Sequence, residues 1–574
     1  MRCNMPKKWL VKDIDSASAD ALSSCLGLLR ATSLILTCRG IATPEDARTF
    51  LSPSLSTMPD PFLLKGMEAA VSRLLEARSR QETVCIYGDY DVDGISGTAL
   101  LVSFLRTVGL NCKYFIPNRF DDGYGLNLDS LERIIASGVS LIVSVDCGIT
   151  SVQEAEYCSQ QKVDLIIVDH HTPKEVIPDA CAVINPLQPG CSYPFKYPAG
   201  VGVAFNLLIA LRSRLRKSGG FDEMAAEPDL REWLDLVALG TIADVVPLTG
   251  QNRVYTYYGL QRLSSSGRTG LQALKEVAGI KGAVTCGQVG FRLAPRLNAA
   301  GRMESAVPGV ELLLGSDAQE AAAIADELDA ANSERQAIER RMLEEAIQMV
   351  EKDCDYPACR SIVLASAAWH QGVAGIVASR IAERYYRPTI LIAIDEQGKA
   401  KGSGRSIPGF HLLEALHDCS EHLERFGGHQ YAAGVSLSAD RFEAFAASFE
   451  ESAARIFGAS VLVPLLEIDA ELRPAEISKA LTAELKRLEP FGAGNPEPTL
   501  LMRGLKVVER RMVGDGHLKL RLSAEGCTFN AIAFRQSNVV TDGLIDIAFF
   551  PEINVWNNSE TVQLRIKEIR QAEE

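Results

Sequence analysis

Three short, continuously apolar runs between residues 83 and 171 each end on an acid: CIY runs into GDYDVDG with Asp89, Asp91 and Asp93, LIVSV into Asp146, and LIIV into Asp169-His170-His171. Runs this short, without polar alternation, are strands buried on both faces. Stretches of helical periodicity separate them, GISGTALLVSFLRTVG and SVQEAEYCSQQK among them. Strands alternating with helices make a parallel sheet, so the fold class is α/β. In such sheets ligands bind beyond the carboxyl ends of the strands, which is where these acids sit. A further acid, Asp244, follows LGTIA in a neighbouring segment.

At 574 residues the chain is too long for one core, and about 100–200 residues per domain predicts three or four units. The first 80 residues read as short helices, one of them capped by Thr43 with Pro44 at its first position. The stretch from Ala318 to Lys352 contains neither Gly nor Pro and reads as one long connecting helix. A second α/β block opens with SIVLASAAWH near Ser361 and runs to about residue 455. From about residue 460 short alternating strands with Gly-rich turns, such as GHLKLRLSAEG and CTFNAIAFRQ, point to a small β-barrel.

Hydrophobic residues at 47% and charged residues at 23% exclude a chain disordered throughout. No apolar run reaches the roughly 18 residues of a membrane span, and the basic N-terminus lacks the apolar segment of a secretory signal. The 14 cysteines include no CxxC pair, so neither a disulfide framework nor cysteine-held zinc is expected, and a cytoplasmic location is. The balance of 59 basic against 73 acidic residues, −14, argues against coating nucleic acid with the whole surface. It leaves room for a local basic groove and for acids gathered round a cation.

An aspartate after a strand is often only a helix N-cap. The triple Asp89, Asp91, Asp93 also imitates the start of an EF-hand, but the twelfth loop position is Leu100, not Glu, and a strand precedes it. Two of the chain's eight histidines stand together directly after a buried strand, which favours a joint role. Several carboxylates with one or two imidazoles suit Mn²⁺ or Mg²⁺ better than thiol-loving Zn²⁺. Carboxylates packed this closely need a counter-charge, and two metal ions supply it in phosphoester hydrolysis.

GDYDVDG at 88–94, VDCG at 145–148, VDHH at 168–171 and GTIADVVPL at 240–248 resemble, in order, the four motifs of the DHH phosphoesterase superfamily. Six further segments resemble its family of bacterial single-stranded-DNA-specific 5′→3′ exonucleases: IPNRFDDGYGLN, FRLAPRLNAAGRM (read as a loop), WHQGVAGIVASRIAERYYRPTI, GSGRSIPGFHLLEAL, FGGHQYAAGVSL and LEPFGAGNPEP. The resemblance covers nearly the whole chain. It implies a helical region at 1–80 packed on a parallel-sheet DHH domain at 81–317, a connector helix at 318–352, a smaller α/β DHHA1 domain at 353–458 that closes over substrate, and an OB-like barrel at 459–574.

It also implies Asp91, Asp93, Asp146, His170 and Asp244 as ligands of a pair of Mn²⁺ or Mg²⁺ ions, with Asp89 and His171 as ligands or as residues that orient ligands. Ser403 and Arg405 of GSGRS would hold a 5′-terminal phosphate, helped by Arg119, Arg296 and Arg302, and His429 of FGGH would reach the scissile region or a base. The residues of GSGRS alone also fit a plain turn. Between Leu501 and Arg535 seven Lys or Arg face three acids, and an OB-like barrel with such a groove binds single strands. Phe529 and Phe534 are candidate stacking residues, with core packing expected for at least one. The implied function is 5′→3′ hydrolysis of single-stranded DNA in repair and recombination, with a single-strand-binding protein and a helicase as partners and no membrane. The alternatives are a phosphoesterase acting on short oligonucleotides or cyclic dinucleotides, and a binding scaffold.

Overall fold

The computed structural model describes all residues except 1–6, 14, 119–122, 124, 223, 225, 515, 537–542, 557, 558, 573 and 574. Thr83–Gly88 (β1), Asn111–Phe115 (β2), Leu141–Val145 (β3), Asp164–Val168 (β4) and Ala182–Ile184 (β5) form one sheet in the order β2-β1-β3-β4-β5. Every pairing is parallel. The order reverses direction between β1 and β3, and the crevice at such a reversal is the binding position of a doubly wound sheet. Val92–Thr107 (α1) leaves β1 at that point and packs against Gly200–Lys217 (α2) and Leu234–Ala243 (α3). Leu234 to Thr241 are all buried, as befits a helix apolar all round.

The chain divides into two compact units. The larger holds this sheet and its helices, residues 10–301 and 305–326, together with residues 467–574. The smaller is residues 327–466 with 302–304 and the segment before Leu10. The helix Ala318–Asp353 (α4) begins in the larger unit and ends in the smaller.

In the smaller unit Ile362–Ser366 (β6), Thr389–Ile394 (β7), Lys399–Arg405 (β8), Arg425–Gly428 (β9) and Ala432–Ser438 (β10) form a sheet in the order β9-β10-β8-β7-β6. Only β6 and β7 are parallel. Gln371–Tyr385 (α5) packs on β7 and β8. GSGRS is thus the end of the central strand, not a turn, and FGGH begins in an edge strand. Glycines at 402 and 404 suit the crowding there: a Cβ at Gly402 would come within 2.7 Å of Ile392 and Val435.

Leu500–Val513 (β11), His517–Ala524 (β12), Cys527–Ala533 (β13), Leu544–Trp556 (β14) and Ser559–Gln571 (β15) run in the order β11-β12-β13-β15-β14. β14 also pairs with β11, so the sheet closes into a five-stranded barrel of OB type. Of the N-terminal region expected on the catalytic domain, the helices Ser16–Leu26, Arg30–Cys38 and Pro44–Leu51 share their buried face with the barrel, while Met67–Ser79 packs on α2 and β5 of the sheet domain. Leu22, Leu34 and Ile35 lie in one hydrophobic cluster with Leu485, Leu500, Leu518 and Phe549.

LEPFGAGNPEP ties the barrel side to the segment after Asp244: Leu248 N–H donates to Ala493 O at 2.7 Å, and a Cβ at Gly492 would come within 2.6 Å of Leu248. FRLAPRLNAAGRM is helical rather than a loop. A π-helical turn at Val289–Leu293 leads directly into Ala294–Met303.

Candidate metal centre

The sheet edge delivers the expected residues to one place. Asp89 and Asp91 follow β1, Asp93 opens α1, Asp146 follows β3, His170 and His171 follow β4, and Asp244 ends α3. Three overlapping groups have ligand atoms within 4.8 Å of one another: Asp89, Asp91 and Asp146; Asp93, His170 and Asp244; Asp146, His170 and His171. Asp89, Asp93 and Asp146 are at most 2% exposed.

Each side chain is held by its own element. Asp91 is the N-cap of α1, its Oδ1 accepting from Asp93 N at 2.8 Å and Gly94 N at 3.1 Å. This residue is both the N-cap of the helix and a member of the acidic cluster. Asp93 accepts from Gly200 N at 2.6 Å and Val201 N at 2.9 Å, the first amides of α2, where a helix end favours an anion. Gly200 and Gly240 make room: a Cβ at Gly200 would lie 2.8 Å from Asp146 Oδ1, and one at Gly240 2.8 Å from Asp93 Oδ1. Asp146 and Val245 both adopt positive φ, 65° and 63°. For a β-branched residue that is strain of roughly 1–3 kcal/mol, and it falls directly after Asp244.

Burial, then the Asp91 charge, pushes the Asp93 carboxyl up to about 7. Burial, then the charges of Asp93 and Asp91, raises Asp244 to about 9 and puts Asp146 well above the usual carboxylate range. Burial, then the neighbouring His171 charge, lowers His170 to about 4. For His171 burial works downward, but the Asp169 hydrogen bond and charge overcome it and raise the ring to about 9. Asp169 is held at about 2 against its burial by the same partner, with the Ile149 amide helping.

His170 is therefore neutral at neutral pH. It hydrogen-bonds the Pro198 backbone, which has only a carbonyl to offer, so the proton is on the nitrogen facing Pro198. Its Nε2 lies 3.1 Å from Asp146 Oδ1, 3.6 Å from Asp244 Oδ2 and 3.9 Å from Asp93 Oδ2. Yet Nε2 and Asp244 Oδ2 are buried without a hydrogen bond. A nitrogen lone pair facing carboxylate oxygens takes either a carboxyl proton or a metal cation between them, and for the second oxygen-rich ligands with imidazole fit Mn²⁺ or Mg²⁺.

Two residues outside the expected set complete the support. Asp169 Oδ1 accepts from the backbone amides of His170 at 2.7 Å and His171 at 3.1 Å and meets His171 Nδ1 at 2.7 Å, while Oδ2 accepts from Ile149 N. Asn185, just past β5, donates to His171 O at 2.9 Å. Asp169 stands in the VDHH motif and is legible there as an acid, but not as the residue that orients the histidine. Asn185, a single amide after the short β5 strand, carries no distinguishing signal in the sequence.

The expected phosphate ligands are spread more widely. Arg119 lies outside the described residues. Arg296 donates to Arg292 O at 2.6 Å and to Val277 O at 3.4 Å, at the end of the helix Thr269–Val277. Arg302 donates to Gly372 O at 3.2 Å, at the start of α5. Ser403 and Arg405 do come together: Arg405 Nη1 donates to Ser403 Oγ at 3.2 Å, and both groups face Gly375 of α5, whose added Cβ would lie 2.8 and 2.9 Å from them. His429 is exposed in the β9–β10 turn. On the barrel, Arg510, Arg511, Lys519 and Arg521 are exposed on the β11–β12 hairpin. Phe529 is core at 8% exposure, whereas Phe534 is 48% exposed, its ring 5.1 Å from that of His517.

Models of known families match the chain in three places: the N-terminal domain of the DHH family over residues 83–241, the DHHA1 domain over 359–455 and the RecJ OB domain over 468–568. The single-stranded-DNA-specific exonuclease RecJ of Bacillus subtilis is 40% identical over 570 residues, 98% of this chain and 70% of that protein. RecJ of Escherichia coli is 40% identical over 527 residues, 88% of this chain and 90% of that protein. The crystal structure of Thermus thermophilus RecJ with Mn²⁺ superposes with a TM-score of 0.84 at 34% identity, covering 99% of this chain and 80% of that one. With metal-site geometry, barrel and identity in agreement, the chain belongs to the RecJ family of single-stranded-DNA-specific exonucleases.

Proposed function

We propose that this chain is a divalent-metal-dependent exonuclease on single-stranded DNA, which hydrolyses the strand from its 5′ end to 5′-mononucleotides in DNA repair and recombination. Its family supports the reaction, and crystal structures of relatives with Mn²⁺ and with Mg²⁺ support the metals. The observation that carries the reading is the neutral His170, its Nε2 turned on buried carboxylates without a hydrogen bond.

Asp89, Asp91, Asp93, Asp146, His170 and Asp244 would hold two Mn²⁺ or Mg²⁺ ions, which when bound supply an activated water and stabilise charge on the phosphodiester oxygens. The chain's own residues do the positioning. Asp91 is aimed by the helix it caps, and Asp93 by the amides of α2. Asp169 keeps His171 protonated and oriented, so that its half-exposed ring offers a charged N–H to a phosphate oxygen. Ser403 and Arg405, side by side on β8, offer a hydroxyl and a guanidinium to a terminal phosphate. The exposed cations of the barrel hairpin, with Phe534, suit the backbone and bases of a single strand. A single-strand-binding protein and a helicase, which cover and expose such strands, are the partners this role calls for.

The test is degradation of single-stranded DNA labelled at either end, and of duplex, with Mn²⁺ or with EDTA. Mononucleotides from the 5′ end of single strands, only with metal, are expected. Activity in EDTA, or equal activity on blunt duplex, overturns the proposal.

A further inference from the structure

Away from the metal centre, the larger unit contains a cavity of 560 Å³. Ile41, Phe50, Met58, Phe195 and Val254 give it apolar walls, and two guanidiniums, Arg39 and Arg253, line it as well. Arg253 is 2% exposed. Its three nitrogens donate to the carbonyls of Phe50 at 3.1 Å, Leu488 at 2.9 Å and Arg487 at 3.1 Å, and its charge lies 3.8 Å from the centre of the Phe50 ring. Arg39 donates to Asn495 Oδ1 and Pro496 O, while its buried Nε has no hydrogen-bond partner.

Every one of these acceptors is neutral, and neither guanidinium forms an ion pair among the described residues. The carboxylate in the lining, Asp46, is exposed and accepts from the Thr43 hydroxyl at 2.6 Å. Asp469, whose field reaches Arg39, is paired with Lys12 at 3.1 Å. Burial, then repulsion from Arg39, pushes Arg253 down to about 10, and burial lowers Arg39 too. A buried charge is ordinarily paired. Pinning the 487–496 loop explains the bonds to carbonyls, but not two neighbouring cations without a counter-ion beside an open volume of ligand size. A guanidinium has five N–H donors, and each of these spends fewer than five on the protein acceptors named above.

We propose that this cavity binds an oxyanion carried on a small apolar body: a carboxylate or phosphate monoester at the two guanidiniums, with a ring or short chain along Ile41, Phe195 and Val254. The occupant supplies the missing negative charge, and the walls exclude a bare, fully hydrated ion.

The test uses the full chain in EDTA with Arg405→Ala, so that neither the metal centre nor the proposed 5′-phosphate ligand contributes, and a failure of the nuclease reading leaves the result intact. Phenyl phosphate, benzoate and inorganic phosphate are titrated by calorimetry, with the melting temperature as a second readout. One equivalent of phenyl phosphate or benzoate is expected to bind at least about tenfold more tightly than inorganic phosphate. Arg39→Met removes one charge, and Thr57→Trp narrows the exposed rim without touching either guanidinium. Each should weaken binding by about tenfold or more. No binding of either organic probe, equal binding of inorganic phosphate, or affinity unchanged by either variant overturns the proposal.

Discussion

Asp91 uses one carboxylate for two purposes: Oδ1 closes the first turn of α1, and the same group stands in the acidic cluster. Asp169 works at one remove, through His171. Asp169→Asn should therefore lower activity by about 10–100-fold and release His171 from about 9 toward its ordinary value. Because the ring is protonated below its pKa, the alkaline limb of the pH–rate profile should move to lower pH. An unmoved limb would remove His171 from the proposed chemistry.

Asp244→Asn acts directly. Asp244 has a folded pKa of about 9 against an ordinary 3.8, so the metal-free fold retains protons that the unfolded chain has released. The stability it contributes is fully present below 3.8 and is lost as pH rises through about 9. Thermal melts in EDTA should show that decline, Mn²⁺ should stabilise the native chain more at a pH of about 8.5 than at about 6, and the variant should flatten both trends. Its cleavage rate should fall by at least about 10²–10³-fold. Strand-end acids make the cluster legible in sequence. The helper Asn185 is not, because a single amide after a strand has many ordinary uses.

At the level of elements, the alternation of apolar runs and helical periods is enough to place β1, β3 and β4, since strands buried on both faces leave a continuous apolar trace. The same rule fails for β8. Its sequence, KAKGSGR, is rich in small and charged residues because neighbouring side chains crowd its faces, so local composition resembles a turn. Tertiary packing decides it. The consequence is functional: a central strand holds Ser403 and Arg405 more rigidly than a turn would. A 5′-hydroxyl strand should be cut more slowly than a 5′-phosphate strand, and Arg405→Ala should erase most of the difference. Equal initial rates on both substrates in the native enzyme would rule the pocket out.

Across the whole molecule, the barrel does not behave as a detachable appendage. Its core continues into the N-terminal helices, and the loop before it is bonded to Leu248 and Arg253 beyond the Asp244 motif. Cutting the chain at about residue 460 should therefore unfold the larger unit, seen as diminished circular dichroism and the disappearance of cooperative melting. A folded, active truncation would contradict the shared core. The barrel's part in DNA binding is better tested by Arg510→Ala, Arg511→Ala and Lys519→Ala together. These exposed changes should lower affinity for long strands and reduce the salt slope by about 0.7 for each phosphate no longer neutralised, with turnover of short oligonucleotides near native.

The shared core also imposes an order of events during synthesis. Leu22, Leu34 and Ile35 leave the ribosome early, but Leu518 and Phe549, against which they pack, are made roughly 500 residues later. At about 5–20 residues per second, the early helices wait on the order of half a minute or more for their partners. The acids at the sheet edge are translated within that interval, anchored at Asp244 by a segment whose bonding partner, Ala493, is not yet made. A nascent chain released before residue 493 would carry the sheet-edge acids without the bond from Leu248 to Ala493 that follows them.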